Sequence, residues 1–199
     1  MIDALPPEAL VLETERLRLR PFAAGDADLA RALLCDPEVM RHVADPLSAE
    51  QVESIMPNIT RRGAGGRLGI WCVSRKDTGE PIGDGVLTPL PIDQSDVNWD
   101  QLVPDAYPSD PVEVGYLLRP EAWGQGFATE ICRRLLRFGF EMTTLDTIVA
   151  CTDIDNHASQ RVLRKAGMRH CGTRRAYGED GPWFEMTRAE WQKIAERPP

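Results

Sequence analysis

Two glycines that follow an apolar stretch are the residues of this chain best suited to bind a phosphate. Gly124 and Gly126 lie after the apolar residues 112–118 and before a segment with helical spacing. Glycine lets the backbone approach a ligand closely, and the first amides of a helix have no acceptor of their own. A strand, a glycine turn and a helix N-terminus together predict an anion site, so we expect a phosphorylated cofactor.

Two nucleotide-binding motifs are alternatives for this turn. A dinucleotide fingerprint needs three glycines after the first strand of a βαβ unit, but Thr129 stands at the third position and three predicted strands precede the turn. Asp146 lies near the spacing expected of a ribose-binding acid. A Gly-Lys-Ser/Thr phosphate loop does not occur. A dinucleotide-binding protein, or a turn that the glycines merely shape, therefore stays an alternative.

The turn belongs to a stretch that resembles a known family. Residues 123–130 read Trp-Gly-Gln-Gly-Phe-Ala-Thr-Glu, similar to the acyl-CoA motif R/Q-x-x-G-x-G/A of the GCN5-related N-acetyltransferases (GNAT). Trp123 in the place of Arg or Gln is typical of the ribosomal-protein N-terminal acetyltransferase (RimJ/RimL-like) branch. Residues 14–20 resemble the opening strand of that branch, and residues 156–159 with 165–168 resemble its second motif.

The resemblance implies one domain over residues 1–199, with its core at about 12–191, and the α/β fold of that family. Hydrophobic patterns along the chain predict the order β-α-α-β-β-β-α-β-α-β-β and a mixed sheet. In this family the central strand, here 112–118, is splayed from the next one, here 147–152. A length of 199 residues suits a single domain.

Local signals predict where several elements begin and end. Ser48 and Gln51 form a capping box for a helix that runs to about Arg62, and Asn156 is an N-cap. The last two strands, about 168–175 and 183–187, are predicted to be joined by a turn over 178–182, which is rich in glycine. Segment 91–110 holds five Asp and no Lys or Arg, and is either a functional loop or disordered.

The resemblance also implies a co-substrate, acetyl-CoA, and the residues that bind it. Its pyrophosphate would lie on the amides of the turn, and its pantetheine arm on backbone groups of the central strand, where one amide could stabilise the oxyanion. Asn156 would bind the pantetheine amide, and Lys165 the phosphate end. The residues so implied are Leu117, Leu118, Gly124, Gln125, Gly126, Phe127, Ala128, Thr129, Asn156 and Lys165.

The implied reaction is direct attack of a primary amine on the acetyl group. Glu113, on the central strand, is the candidate base that takes the amine proton. The family's usual acid, a tyrosine, falls at Leu163, so Ser159 is the candidate acid and water the alternative. Each residue has a structural interpretation too: Glu113 as an ordinary solvent-facing residue, Asn156 and Ser159 as capping residues, and Lys165 as a solvated charge.

Composition limits the partners. A net charge of −8 argues against nucleic-acid binding. Five cysteines and three histidines at no ligand spacing predict neither a metal site nor a disulfide framework. The sequence has no apolar run of membrane-spanning length and no signal peptide, so we expect a cytoplasmic protein without membrane contact.

The acceptor is expected to be a protein N-terminus or a small amine. The acidic segment 91–110 could attract a cationic acceptor, or it could be a solvated loop. A non-catalytic domain that binds acyl-CoA as a signal is an alternative to an enzyme. A homodimer is possible, since Trp183, Phe184 and Trp191 could serve an interface or fill the core.

Overall fold

One sheet of nine strands organises the computed structural model, which describes residues 2–196. The strands are β1 (Leu12–Glu13), β2 (Leu17–Pro21), β3 (Arg62–Gly63), β4 (Leu68–Arg75), β5 (Pro81–Pro89), β6 (Val112–Leu118), β7 (Thr147–Cys151), β8 (Arg169–Ala176) and β9 (Glu179–Thr187). The helices are α1 (Ala27–Leu34), α2 (Pro37–Met40), α3 (Ala49–Ile59), α4 (Phe127–Met142), α5 (His157–Ala166) and α6 (Arg188–Ala195). The strand order is β1-β2-β4-β5-β6-β7-β9-β8, and β3 pairs with β4.

The pairing of β6 with β7 differs from every other pairing in the sheet. It is parallel, because α4 crosses over between the two strands, whereas the other pairings are antiparallel. Within residues 2–196 it is confined to one position, Glu113 opposite Val149. The strands therefore separate toward Leu118, which confirms the predicted mixed sheet with a splayed centre.

Helices cover both faces of the sheet. Ile131 and Leu135 of α4 pack into one core with Trp71 and Leu87, whereas α1 and α3 build a second core around Ile70. Side chains alternate along a strand, so each strand contributes to both cores. On β6, Val112, Val114, Tyr116 and Leu118 face α4, and Glu113, Gly115 and Leu117 face the side of α1 and α3. Among the described residues, none of the helices has the length and apolar character to cross a membrane.

The predicted helix caps are present. Ser48 Oγ accepts from Gln51 N at 3.2 Å, and Gln51 Oε1 accepts from Ser48 N at 2.7 Å. Asn156 Oδ1 accepts from Ser159 N at 3.0 Å. Helix α3 ends at Ile59 and not at about Arg62, because Arg62 and Gly63 pair with β4.

The predicted turn over residues 178–182 is wrong. The chain reverses at Tyr177 and Gly178, which have φ of 53° and 78°, and β9 already begins at Glu179. Two successive positive φ angles make the tight turn that suits a two-residue hairpin. Pro182 is tolerated inside the strand because it lies opposite Thr173, beside the register shift of β8.

Segment 91–110 is the loop of the β5–β6 hairpin, and it is anchored on two sides. Leu90 N donates to Pro111 O at 2.8 Å and closes its base. Ala64 N donates to Val103 O at 2.8 Å, which ties the loop to the β3–β4 connection. Tyr177 N donates to Pro91 O at 2.9 Å, which ties it to the β8–β9 turn. These bonds contradict the interpretation of the segment as disordered, and its role as a functional loop stays a prediction.

The aromatic residues near the end of the chain fill the core. Trp183 and Phe184 are buried, and the ring of Trp191 stacks on Phe140 with centroids 5.7 Å apart. These three side chains therefore give no support to an interface, and the homodimer stays a prediction.

Candidate active site

The glycine turn presents bare backbone at the end of β6. Gly124 and Gly126 have φ of 73° and 83°, a region that favours glycine, and both are exposed. Trp123 Nε1 donates to Leu118 O at 2.7 Å and holds the turn against the strand. Helix α4 begins at Phe127, and within residues 2–196 no side chain caps it. Its first amides can therefore bind a diphosphate, with the positive end of the helix dipole behind them.

The motif segments at residues 14–20 and 123–130 are in direct contact. Glu130 accepts from Thr14 Oγ1, from Arg16 N at 3.0 Å and from Arg16 Nε at 2.8 Å. Burial alone would raise the pKa of Glu130, but these donors hold it below its ordinary value. Arg16 Nη1 also donates to Gln125 O at 3.0 Å, and its guanidinium lies 4.4 Å from the Phe127 ring centroid. The opening strand therefore braces the turn.

Cationic side chains that sequence analysis missed lie beside the turn. Arg75 and Arg119 line a cavity of about 80 Å³ together with Phe127. Arg75 comes from β4, so only the sheet pairing brings it to the turn, whereas Arg119 follows β6 directly and stands five residues before Gly124. Lys165 is exposed in the last turn of α5, where its carbonyl oxygen accepts from Arg133 of α4 at 2.5 Å. Its role at the phosphate end stays a prediction.

The backbone of β6 is partly engaged where the pantetheine arm is expected. Leu117 N donates to Asp84 Oδ1 at 3.0 Å, on the β5 side and away from the opening between β6 and β7. Strand alternation directs the N–H of Leu118 to the opposite edge, toward the opening. Of the two predicted backbone donors, Leu118 N is therefore the better placed.

Asp84 is a buried carboxyl that sequence analysis did not identify. It lies on β5 opposite Leu117, and desolvation raises its pKa to about 7 although the Leu117 amide lowers it in part. Gly83 and Gly85 flank Asp84 on β5. Because neither carries an apolar side chain, the sequence gives no hint that Asp84 is buried.

Glu113 is buried at the last paired position before β6 and β7 separate. Its side chain is not solvent-facing, since the residue is only 7% exposed. The hydroxyl of Tyr177 donates to Glu113 Oε1, and Thr88 on β5 also bonds the carboxylate. Burial raises its pKa to about 7, against the opposing effect of both donors. A carboxyl with this pKa is suited to accept a proton near neutral pH.

Ser159 lies on the other face of the sheet, in the first turn of α5. Its Oγ is 2.9 Å from the hydroxyl oxygen of Tyr116, which faces α4. Burial raises the pKa of Tyr116 above its ordinary value. Asn156 caps the same helix and is partly buried. The structure thus brings Ser159 and Asn156 to one side of the opening and Glu113 to the other, and Leu163, at the position of the family's acid, is core.

The thiols near the opening are poor nucleophiles. Burial raises the pKa of Cys132 to about 12, and burial and the nearby Glu113 charge raise that of Cys151 to about 11. Thiolate is the reactive form, so both groups are inert near neutral pH. Among residues 2–196, no group of three or more His, Cys, Asp or Glu is arranged to hold a metal ion.

Comparison with known proteins identifies the family. Residues 16–169 match the acetyltransferase (GNAT) domain family. The chain is 30% identical over 196 residues to the FsC-acetyl coenzyme A-N(2)-transacetylase of Aspergillus fumigatus, which spans 92% of this chain and 78% of that relative.

Two solved structures share the fold. The spermidine N-acetyltransferase of Vibrio cholerae, in complex with CoA and spermine, has a TM-score of 0.68 at 17% identity, over 90% of this chain and 99% of that chain. RimL, a ribosomal L7/L12 alpha-N-protein acetyltransferase in complex with coenzyme A, has a TM-score of 0.67 at 15% identity, over 89% and 97%. The interpretations as a dinucleotide-binding protein and as a non-catalytic domain are set aside. The chain belongs to the GNAT family and is an acyl-CoA-dependent N-acetyltransferase.

Proposed function

We propose that the chain transfers an acetyl group from acetyl-CoA to a primary amine by direct attack, with Glu113 as the general base. The observation that carries this proposal is the position of Glu113, buried at the point where β6 and β7 part. Acetyl-CoA would supply the acetyl group as a thioester. The turn at Gly124 and Gly126, the amide of Leu118 and the side chain of Asn156 would hold it.

The two faces of the opening have different tasks. On the side of α1 and α3, Glu113 accepts the proton of the attacking amine. On the α4 side, Ser159 donates a proton to the leaving thiolate and takes one up again from water, and Tyr116 orients the Ser159 hydroxyl through the 2.9 Å contact. The high pKa of both thiols near the opening supports direct attack over an acyl-cysteine route.

A small polar amine is the acceptor we favour. A cavity of about 360 Å³, within the range of small-molecule sites, is lined by Asn58 and residues 94–100. One lining residue, Asp96, raises the pKa of the Tyr177 hydroxyl through its charge, and that hydroxyl bonds Glu113. Acceptors in the relatives' names include the N(2) position of FsC and spermidine.

A protein N-terminus is the second candidate, as the sequence resemblance to the RimJ/RimL-like branch suggests.

The acidic segment 91–110 should attract cations less strongly than its five Asp imply, because three of these side chains already have hydrogen-bond partners. Asp93 bonds Arg175 at 2.8 Å, Asp100 bonds Arg61 at 2.8 Å and Asp110 accepts from Gln101 at 2.6 Å.

A thiol-release assay with acetyl-CoA tests the activity and the acceptor together. The panel contains polyamines, amino acids, amino sugars and peptides with free N-termini. Glu113→Gln is then compared with wild type on the best acceptor. Because general base catalysis contributes about 10²–10⁴-fold, we expect a loss of that size in kcat.

The ratio of wild-type to Glu113→Gln kcat/KM across pH isolates the base, because titration of the amine cancels. This ratio should rise about tenfold per pH unit below a pKa of about 7 and then level off. Glu141→Gln, which removes an exposed carboxylate paired with Arg137, is the matched control and should keep wild-type kinetics. Wild-type turnover in Glu113→Gln at every pH would exclude Glu113 as the base.

A further inference from the structure

The turn between β8 and β9 holds a tyrosine in a backbone conformation that tyrosine rarely adopts. Tyr177 has φ of 53°, and Gly178 follows with 78°. Hairpin turns of this kind favour Asn-Gly or Gly-Gly, because a side chain with a Cβ is strained there by about 1–2 kcal/mol. A bulky aromatic residue at this position therefore needs a compensating contact.

The hydroxyl of Tyr177 makes that contact with Glu113, 64 residues earlier in the chain. The turn itself is held by other bonds. Tyr177 N donates to Pro91 O at 2.9 Å, Gly178 N to Ile92 O at 3.0 Å, and Arg175 Nε to Asp93 Oδ1 at 2.8 Å. The ring is thus delivered to Glu113 by a docked turn, and loss of the hydroxyl alone leaves that docking intact.

Few groups that can carry charge face Glu113. Tyr177 of the turn and Cys151 of β7 are titratable groups near it, and the neutral hydroxyl of Thr88 bonds it from β5. Asp96 of the β5–β6 loop acts on Tyr177 from the cavity side. Burial and the charge of Glu113 raise the pKa of Tyr177 well above its ordinary value, so its hydroxyl remains a donor across neutral pH.

We propose that Tyr177 is the positioning residue of Glu113, whose hydroxyl holds the carboxylate ionised and oriented to accept the proton of the attacking amine. This inference rests on the proposed role of Glu113 as the base. Tyr177 does not take the role of the family's tyrosine acid, because it lies on the face of the sheet opposite Ser159, the candidate acid. It also links segment 91–110 to the base, because the turn that carries Tyr177 bonds residues 91–93.

The test is the pH profile of kcat/KM for Tyr177→Phe, which keeps the ring and removes the hydroxyl. Loss of one donor to a carboxylate should raise the apparent pKa of the acidic limb by about one unit or more. For a limb that starts near 7, we expect kcat/KM to fall about tenfold at pH 6.5 and to stay within about twofold of wild type at pH 9.5. A purely structural role would instead lower activity equally at all pH values.

Two further variants make the result decisive. Tyr107→Phe removes a hydroxyl that accepts from Thr144 N at 3.3 Å, and it should keep the wild-type profile. In a Glu113→Gln background, Tyr177→Phe should cause no additional pH-dependent loss. An unshifted acidic limb in Tyr177→Phe, or a loss that is uniform with pH, overturns the inference.

The outcomes also separate this inference from the proposed function. If Glu113→Gln turns over like wild type, the base assignment itself fails. If Glu113→Gln is impaired but Tyr177→Phe keeps the wild-type profile, only the role of Tyr177 fails.

Discussion

Replacement of Asp84 by Asn should stabilise the protein, and more so at alkaline than at acidic pH. Burial raises the pKa of this carboxyl from 3.8 to about 7. A raised carboxyl pKa means that the folded state binds the proton more tightly than the unfolded state. The wild-type protein therefore loses stability as pH rises from about 4 to about 7, and the loss levels off above that range.

The magnitude follows from the two pKa values. At 1.36 kcal/mol per unit, the raised pKa of Asp84 costs about 1.7 kcal/mol at pH 5, where folding must take up a proton, and about 4 kcal/mol at pH 8.5, where it must bury the charge, as upper estimates. Asn is neutral throughout, and its Oδ1 can still accept from Leu117 N. The free energy of unfolding of Asp84→Asn relative to wild type should thus increase by about 2.5 kcal/mol between these pH values.

Urea unfolding at pH 5 and pH 8.5, followed by the fluorescence of the five tryptophans, measures this increase. Other titrating groups are common to both proteins and cancel in the difference. Asp77→Asn is the control, because the hydrogen bond from Arg75 lowers the pKa of exposed Asp77 and its difference from wild type should be flat over this range. A difference for Asp84→Asn that is equal at both pH values would refute the reasoning.

Two other predictions concern the opening and the turn. Gly126→Ala places a Cβ at φ 83° with Arg16 Nη2 3.6 Å away, so we expect a stability loss of about 1–2 kcal/mol and weaker binding of coenzyme A in calorimetry. Affinity equal to wild type would count against a phosphate site there. Ser159→Ala should lower kcat with little change in the KM for acetyl-CoA, and Tyr116→Phe should do the same to a smaller degree, as steady-state kinetics can measure. Full activity of Ser159→Ala would assign the proton to water.

Local patterns predicted most of the fold. The capping box of α3, the N-cap of α5 and the apolar run of β6 depend on residues close together in sequence, so their signals were readable. The prediction of a turn over residues 178–182 was wrong because Gly-Glu-Asp-Gly-Pro has turn composition, whereas the pairing of β9 with β7 and β8 decides the conformation of this segment. Tertiary pairing overrode local propensity there.

The candidate site also has local features that the sequence reveals and long-range contacts that it does not. The glycine turn was identified from its sequence because a helix N-terminus after a glycine turn is a local device. Asp84, Tyr116 and Tyr177 gave no signal, because each acts through a partner on another strand or helix. The register of β5 against β6, and the place where the β8–β9 turn docks, determine these contacts, and neither can be read from spacing along the chain.

The brace formed by Thr14, Arg16 and Glu130 has a consequence for how the chain responds to its ligand. It connects the segment between β1 and β2 to a helix whose first amides lie more than a hundred residues later. Free-energy coupling between two events acts in both directions. We therefore expect a ligand on the first amides of α4 to stabilise the contacts of Thr14 and Arg16 with Glu130. Truncation or tagging of the chain near Thr14 should in turn lower the affinity for that ligand.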